Sequence, residues 1–154
     1  MRKNDITDFF NLQGVKVDFH KTSKNLIELW IKCPVKEHIC PSCKAITSRV
    51  HDYYLRSFNH IMVGKRTTKI YYKQRRYVCL RCGKRFAENN SFIQKFYRHS
   101  NDVVNSVFND LTSIKNLSQI GNDNNMSSQN VSRLMNKFMP IFHNTTTLPE
   151  AIGI

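Results

Sequence analysis

The sequence predicts an α+β fold, in which a small β module comes first and a domain of three helices follows. Apolar residues alternate with polar ones in three segments before residue 79, which is the period of a half-buried strand. Two C-x2-C pairs bracket the last of these segments. After residue 99 the apolar spacing changes to that of helices.

The charge is concentrated in the middle of the chain. Of 154 residues, 24 are Lys or Arg and 11 are Asp or Glu, and the net charge is +13. Residues 56–98 hold twelve of the basic side chains and only one acid, Glu88. No segment has the roughly 18 uninterrupted apolar residues of a membrane span. Residues 1–5 lead into no apolar stretch, so no secretory signal is expected. We therefore expect a polyanionic partner and no membrane.

Two strands form a predicted hairpin within residues 1–36. Val15, Val17 and Phe19 alternate with polar residues, and a second run covers 26–31 after a short polar turn. A third strand is predicted over 67–78, which is rich in β-branched residues and tyrosines and follows Gly64. Alternation there gives the strand a cationic face that a partner could reach, formed by Lys69, Tyr71, Lys73 and Arg75.

Three helices are predicted within 99–139. The first has one apolar stripe, the second begins at Asn116 with Gln119 completing a capping box, and the third begins after Ser127 and ends before Pro140. Helices joined by such tight turns are typical of a helix-turn-helix, although an ordinary three-helix bundle would show the same pattern. The stripe residues are Val103, Val104, Val107, Phe108 and Leu111 in the first helix, Leu117 and Ile120 in the second, and Val131, Leu134, Met135 and Phe138 in the third.

The cysteines predict a structural zinc site. Cys40 and Cys43 form one pair, Cys79 and Cys82 the other, and each pair can bind a tetrahedral ion from one tight turn. The 35 residues between the pairs can hold an inserted β-hairpin. Four thiolates leave no open position for water, which disfavours catalytic zinc. The alternative is a set of buried or redox-active thiols, and Cys33 is expected to be half-buried rather than a ligand.

The fold class is thus a small zinc-ribbon-like β module followed by a three-helix helix-turn-helix domain. We expect the basic module, residues 37–98, to bind phosphates of double-stranded DNA, although a solvated charged face is the simpler alternative. The start of the third helix is expected to read bases. The phosphate candidates are Lys65, Arg66, Lys69, Lys73, Arg75, Arg76, Arg81, Lys84 and Arg85, and the base candidates are Ser128, Gln129, Ser132 and Arg133.

In this order of motifs, the chain resembles the N-terminal part of the ISL-three family of bacterial insertion-sequence transposases. The resemblance rests on the Cys-Pro-Ser-Cys at 40–43, the stretches 51–56 and 75–88, and the segment 148–154. It implies a zinc-binding domain, a helix-turn-helix and a DDE catalytic domain with three acidic residues. It also implies that residues 140–154 are a linker and the first residues of that missing catalytic domain.

The expected function is the DNA-binding portion of a transposase, recognising the terminal inverted repeats of an insertion sequence in the bacterial cytoplasm. Its eleven acids are scattered, so this chain alone is expected to be catalytically inert. Self-association on DNA is left open. The main alternative is a stand-alone zinc-containing helix-turn-helix transcription regulator. An RNA-binding zinc ribbon and one piece of an otherwise active transposase are the others.

Overall fold

The computed structural model describes residues 3–142, and the chain divides into two compact units between Asn105 and Ser106. The first unit contains seven strands, a short helix and the start of α2, and the second contains the rest of α2 and two further helices. In chain order the elements are α1 (Lys3–Phe9), β1 (Lys16–Thr22), β2 (Leu26–Lys32), β3 (His38–Ile39), β4 (Ile46–Thr47), β5 (Val50–Val63), β6 (Arg66–Val78), β7 (Arg85–Ala87), α2 (Asn101–Leu111), α3 (Leu117–Asp123) and α4 (Ser128–Phe142).

A five-stranded sheet organises the first unit. Its order is β1-β2-β6-β5, with β7 pairing with the far end of β6. The β1–β2 hairpin and strand β6 confirm the predicted strands, and β2 runs parallel to β6. Strand β5 pairs antiparallel with β6 across a turn in which Gly64 has a φ of 61°. This long hairpin is the insertion predicted between the two cysteine pairs.

One face of the sheet forms the core of the first unit. Strands β2 and β6 alternate between buried and more exposed residues along the stretch where they pair. Helix α1, which was not predicted from the sequence, adds Ile6 to this core, and the residues just after it add Phe10 and Leu12. The core residues are Ile6, Phe10, Leu12, Val17, Ile27, Leu29, Ile31, Phe58, Ile70, Tyr72, Phe92 and Ile93.

A buried histidine attaches the start of α2 to this sheet. The His60 Nε2 lies 2.8 Å from the Phe10 carbonyl oxygen and its Nδ1 lies 2.7 Å from the Ser100 hydroxyl. Because the carbonyl can only accept, Nε2 donates and Nδ1 accepts the hydroxyl proton. Burial lowers the pKa of His60, which favours this neutral form. Since His60 and Ser100 are both buried, the pair stabilises the fold and cannot reach a substrate.

The second unit has a small core of its own. Val107, Ile120 and Val131 are buried together. The predicted capping box at α3 is confirmed, since the Asn116 side chain accepts from the Gln119 amide and the Gln119 side chain accepts from the Asn116 amide. A Cβ at position 121 would lie 2.6 Å from the Met126 carbonyl oxygen. Gly121 is therefore required where the chain turns back on α3.

The predicted α+β class, with its three-helix helix-turn-helix domain, is wrong. Seven strands in two sheets form the larger part of the regular structure in residues 3–142, with four short helices. The boundary between the units falls inside α2, so the helices do not form a domain of their own. Val103 and Val104 are buried on the β side of that boundary, and Val107 is buried on the other side. The apolar stripe predicted the helix correctly but could not show that the boundary between the two units falls within it.

Two further points concern the C-terminal part. Helix α4 continues through Pro140 to Phe142, beyond its predicted end.

The predicted start of a catalytic domain, within 143–154, lies outside the described residues. Of the helices described, none combines the length and the apolar character that crossing a membrane requires.

Candidate metal centre and nucleic-acid interface

Two hairpins of matching geometry position the four cysteines. The first pair lies in the turn between β3 and β4, and the second lies in the turn between β6 and β7. In the first turn the Cys40 amide donates to the Ala45 carbonyl at 2.9 Å, and the Lys44 amide donates to the Cys40 carbonyl at 3.0 Å. In the second turn the corresponding bonds join Cys79 with Lys84 at 2.9 Å and Gly83 with Cys79 at 2.8 Å.

Backbone amides point at the first thiol of each turn. The amide of Cys43, together with that of Ser42, lowers the pKa of Cys40 to about 6 by donating hydrogen bonds to its sulfur. Likewise the amide of Cys82, with that of Arg81, lowers the pKa of Cys79. Amide donors stabilise thiolates, and the thiolate is the form that binds metal. Both turns are therefore built to hold a deprotonated sulfur.

The four sulfurs fit one tetrahedral zinc ion. All four lie within 4.8 Å of one another, with Cys40 Sγ 3.6 Å from Cys82 Sγ and Cys43 Sγ 3.4 Å from Cys79 Sγ. Zinc–sulfur bonds of about 2.3 Å in tetrahedral geometry separate the sulfurs by about 3.8 Å. A shell of four thiolates is closed, so the ion would be structural. The residues predicted from sequence as ligands are thus brought together.

The residue after the second cysteine takes a left-handed conformation in both turns. Gly83 has a φ of 71°, which confirms the conformation expected of it, and Lys44 has a φ of 60° at the equivalent place. Glycine adopts this conformation at little cost, whereas a side chain such as that of Lys44 is strained there. Gly83 is favoured by the backbone conformation of the turn and not by a lack of space, since a Cβ at position 83 would have no heavy atom within 4 Å.

Hydrogen bonds and rings join the first turn to the main sheet. The Thr47 hydroxyl donates to the Val78 carbonyl at 2.9 Å, and the Val78 amide donates to the Arg49 carbonyl at 3.0 Å. The Tyr77 ring is fully buried, with the His38 ring centroid 4.5 Å from its own. Because these contacts bring the end of β6 against β3 and β4, the sheet aligns the second cysteine pair with the first.

Cys33 lies outside the sulfur cluster. It is half-buried, as expected, and follows β2. Burial, and after it the Glu88 carboxylate, raise the pKa of its thiol to about 11. Its thiol therefore stays protonated at neutral pH and is not prepared to bind metal.

Arg75, one of the predicted phosphate contacts, is engaged inside the protein. Its guanidinium lies 3.2 Å from the Glu88 carboxylate and donates to the carbonyl oxygens of Cys33 and Pro34. Only 11% of the Arg75 side chain and 3% of the Glu88 side chain are exposed. Glu88, the single acid of the basic segment, thus pairs with the covered Arg75 and not with the exposed cations of that segment.

The other predicted phosphate contacts extend along β6 and past both of its ends. Strand β6 has 13 residues and is therefore about 40 Å long. Arg76 pairs with Asp52, and Lys69 lies 5.4 Å from the centre of the Tyr71 ring. Within residues 3–142, seven of the predicted cations make no ion pair, one of them the half-buried Lys69. The other six are Lys65 and Arg66 at the β5–β6 turn, Lys73 on β6, and Arg81, Lys84 and Arg85 at the second cysteine turn. All six are exposed.

The predicted base contacts lie in the first two turns of α4, in the second unit. Ser128, Gln129 and Arg133 are exposed, and Ser132 is half-buried. The Ser127 hydroxyl accepts from the Asn130 amide at 3.3 Å, as expected of a residue capping the helix. The three exposed side chains are accessible to a binding partner.

An aromatic group that was not predicted from the sequence lies on the outer face of the sheet. Phe19, Trp30 and Tyr71 lie side by side on β1, β2 and β6. The signal was the alternation within β2, where Trp30 falls between Leu29 and Ile31 and so points away from the core. Their alignment depends on the parallel pairing of β2 with β6, which no local pattern indicates.

Comparison with known proteins adds one finding on the family. Neither the curated proteins nor the solved structures contain a significant match. A family model described as the zinc-finger of transposase IS204/IS1001/IS1096/IS1165 matches residues 36–82, less than a third of the chain. The matched segment contains all four clustered cysteines and the β5–β6 hairpin. Residues 36–82 are therefore similar to the zinc ribbon of these transposases, with structural Zn²⁺ as the cofactor that the four cysteines fit.

Proposed function

We propose that this chain is the DNA-binding part of a transposase and recognises the terminal inverted repeats of an insertion sequence in the bacterial cytoplasm. The observation that carries the proposal is the similarity of residues 36–82 to a transposase zinc finger. The closed set of thiolates supports a structural rather than a catalytic zinc. In this proposal the ribbon holds the backbone of duplex DNA, and the chemistry of transposition belongs to another part of the enzyme.

Phosphate binding falls to the cations without a partner acid. Arg81, Lys84 and Arg85 surround the second cysteine turn, so zinc binding orders the backbone that carries them. Lys65 and Arg66 lie about 40 Å away at the other end of β6. That distance is about one turn of B-DNA, which repeats every 34–36 Å. Arg75 is left out, because its guanidinium is already bonded to Glu88.

Base reading is assigned to the start of α4. Arginine pairs with guanine and glutamine with adenine through two hydrogen bonds each. Gln129 and Arg133 are exposed and lie four positions apart, which places them on one face of the helix. Ser128 and Ser132 accompany them as shorter polar contacts.

Arg133→Ala is expected to relax sequence preference without abolishing DNA binding. A duplex carrying one end of the element and a random duplex of equal length are compared by fluorescence anisotropy. The affinity for the end should fall by about 5- to 100-fold and that for random DNA by less than about twofold, because base contacts carry the discrimination.

Asn122→Ala, at an exposed position of α3 away from the predicted base contacts, is the matched control and should leave both affinities unchanged. If the wild-type chain binds the two duplexes equally, recognition of inverted repeats is ruled out. If Arg133→Ala lowered the affinity for both duplexes equally, Arg133 would not contact bases, and the assignment of base reading to α4 would be wrong.

A further inference from the structure

The outer face of the five-stranded sheet carries a row of aromatic rings. Phe19 pairs with Trp30 in register across β1 and β2, and Trp30 pairs with Tyr71 across β2 and β6. The ring centroids of Phe19 and Trp30 are 5.1 Å apart, and those of Trp30 and Tyr71 are 4.9 Å apart with the planes 12° from parallel. Three strands therefore contribute to one continuous aromatic surface.

This surface continues into a groove on the β5 side. The groove has a volume of about 420 Å³, and its lining includes Trp30, Tyr71, Tyr53, Leu55 and Lys73. Tyr53 is 58% exposed and Leu55 is 67% exposed, and Phe19 at the other end of the row is 56% exposed. A volume of this size lies within the range of about 300–1,000 Å³ typical of ligand sites. The face is thus both apolar and open.

The charges on this face favour an anionic occupant. Lys69 stands over the Tyr71 ring, and Lys73 borders the groove without an ion pair among residues 3–142. Of the nearby acids, Asp18 pairs with Lys32 at 2.9 Å, while Glu28 accepts from the Tyr71 hydroxyl at 3.0 Å and keeps its charge. The cations Lys69, Lys73 and Lys32 outnumber these two carboxylates. Flat rings flanked by lysines match the flat bases and charged phosphates of an unpaired nucleic acid strand.

The rings are not needed for the core. The core residues of β2 and β6, which are Ile27, Leu29, Ile31, Ile70 and Tyr72, point to the opposite face, where the core also contains Ile6 of α1. Contiguous exposed apolar surface of this kind is characteristic of interaction sites, whereas isolated exposed apolar residues are common everywhere. The exposure of these rings is therefore explained by binding to a partner and not by packing within the fold.

We propose that the outer face of the sheet binds single-stranded DNA, with unpaired bases stacking on the row from Phe19 to Tyr71 and on Tyr53. Lys69 and Lys73 would then contact the phosphates. In duplex DNA the base faces are already stacked on one another, so this surface selects unpaired strands. The inference extends the proposed DNA-binding function to a second DNA form, and it is tested separately from duplex binding.

The chain contains one tryptophan, Trp30, so its fluorescence reports on this face alone. We expect a thymidine oligonucleotide of about 12 nucleotides to quench that fluorescence on titration into the zinc-loaded full chain. Phe19→Ala combined with Tyr53→Ala should weaken the binding by about tenfold or more, since each ring stacks with one base. Duplex affinity of the same variant should change by less than about twofold.

Phe96→Ala is the matched control, because Phe96 is 87% exposed and lies outside the sheet. It should bind the oligonucleotide as the wild type does. Absence of quenching at concentrations that saturate a duplex would overturn the inference while leaving the proposed function intact. Tighter binding of the matching ribonucleotide oligomer would overturn it in favour of RNA. A fall in sedimentation mass in the Phe19 and Tyr53 variant would overturn it in favour of a second copy of the chain.

Discussion

Cys79→Ser is expected to abolish zinc binding and to unfold the ribbon formed by β3, β4, β7 and the two cysteine turns. Three thiolates and a serine hydroxyl no longer form the closed shell of four sulfurs that zinc prefers. The ribbon has little else to hold it, since β3 and β4 have two residues each and none of their residues belongs to the apolar core of the sheet. The free energy of zinc binding is thus the folding energy of this segment.

The main sheet should survive this loss. Its core is built from α1, β1, β2, Phe58, the first half of β6 and residues 92–93. The cysteine turn follows the other end of β6. Amide hydrogen exchange should therefore accelerate over 38–50 and 79–88 and remain slow over 26–31 and 67–72. Zinc content measured on the purified protein should fall from one ion per chain to none.

Cys33→Ser is the matched control, because Cys33 is the one cysteine outside the cluster. It should keep one zinc ion and the wild-type exchange pattern. Retention of zinc by Cys79→Ser, or equal loss of zinc in both variants, would contradict the assignment of the four ligands.

Glu88→Ala is expected to lower the free energy of unfolding by about 3 kcal/mol, the cost of leaving one member of a buried ion pair alone. The Arg75 guanidinium would remain in a site of which only 11% is exposed. The Arg75 amide would also lose its bond to the Glu88 carboxylate, which measures 3.1 Å. Because Arg75 also bonds the residues after β2, the loss should affect the join between the ribbon and the sheet.

Urea denaturation measures this effect, with Asp52→Ala as the matched control. Asp52 pairs with Arg76, the neighbour of Arg75, but the side chains of that pair are 34% and 50% exposed. Exposed pairs contribute less than about 1 kcal/mol, so the control should lose little. If both variants lost the same free energy of unfolding, the buried Arg75–Glu88 pair would contribute no more to stability than the exposed Asp52–Arg76 pair.

The local parts of the fold could be predicted from the sequence. Spacing alone located the four zinc ligands, because two C-x2-C turns can bind one ion in few other ways. Alternation located β1, β2 and β6, and the capping pair Asn116 and Gln119 located α3. Each of these signals lies within a few residues of the feature it predicts.

The predictions that were wrong concern features that depend on contacts between residues far apart in the sequence. Lys73 and Arg75 occupy the same face of β6 in any alternation pattern, yet Lys73 is exposed and Arg75 is covered by Glu88 and the segment after β2. The fold class failed for a similar reason, because α2 begins in the first unit and continues into the second, with the division between Asn105 and Ser106. Neither outcome is visible until the strands and helices are in place.

The salt dependence of duplex binding tests the central claim most directly, namely that the zinc ribbon presents cations to DNA phosphates. Neutralising Arg81, Lys84 and Arg85 together with glutamine should make the plot of log affinity against log salt shallower by about 2.7, at about 0.9 per phosphate contact. The matched control replaces Lys16, Lys21 and Lys24, three exposed lysines of the β1–β2 hairpin, and should keep the wild-type slope. An unchanged slope in the ribbon variant, or an equal change in both variants, would contradict the account.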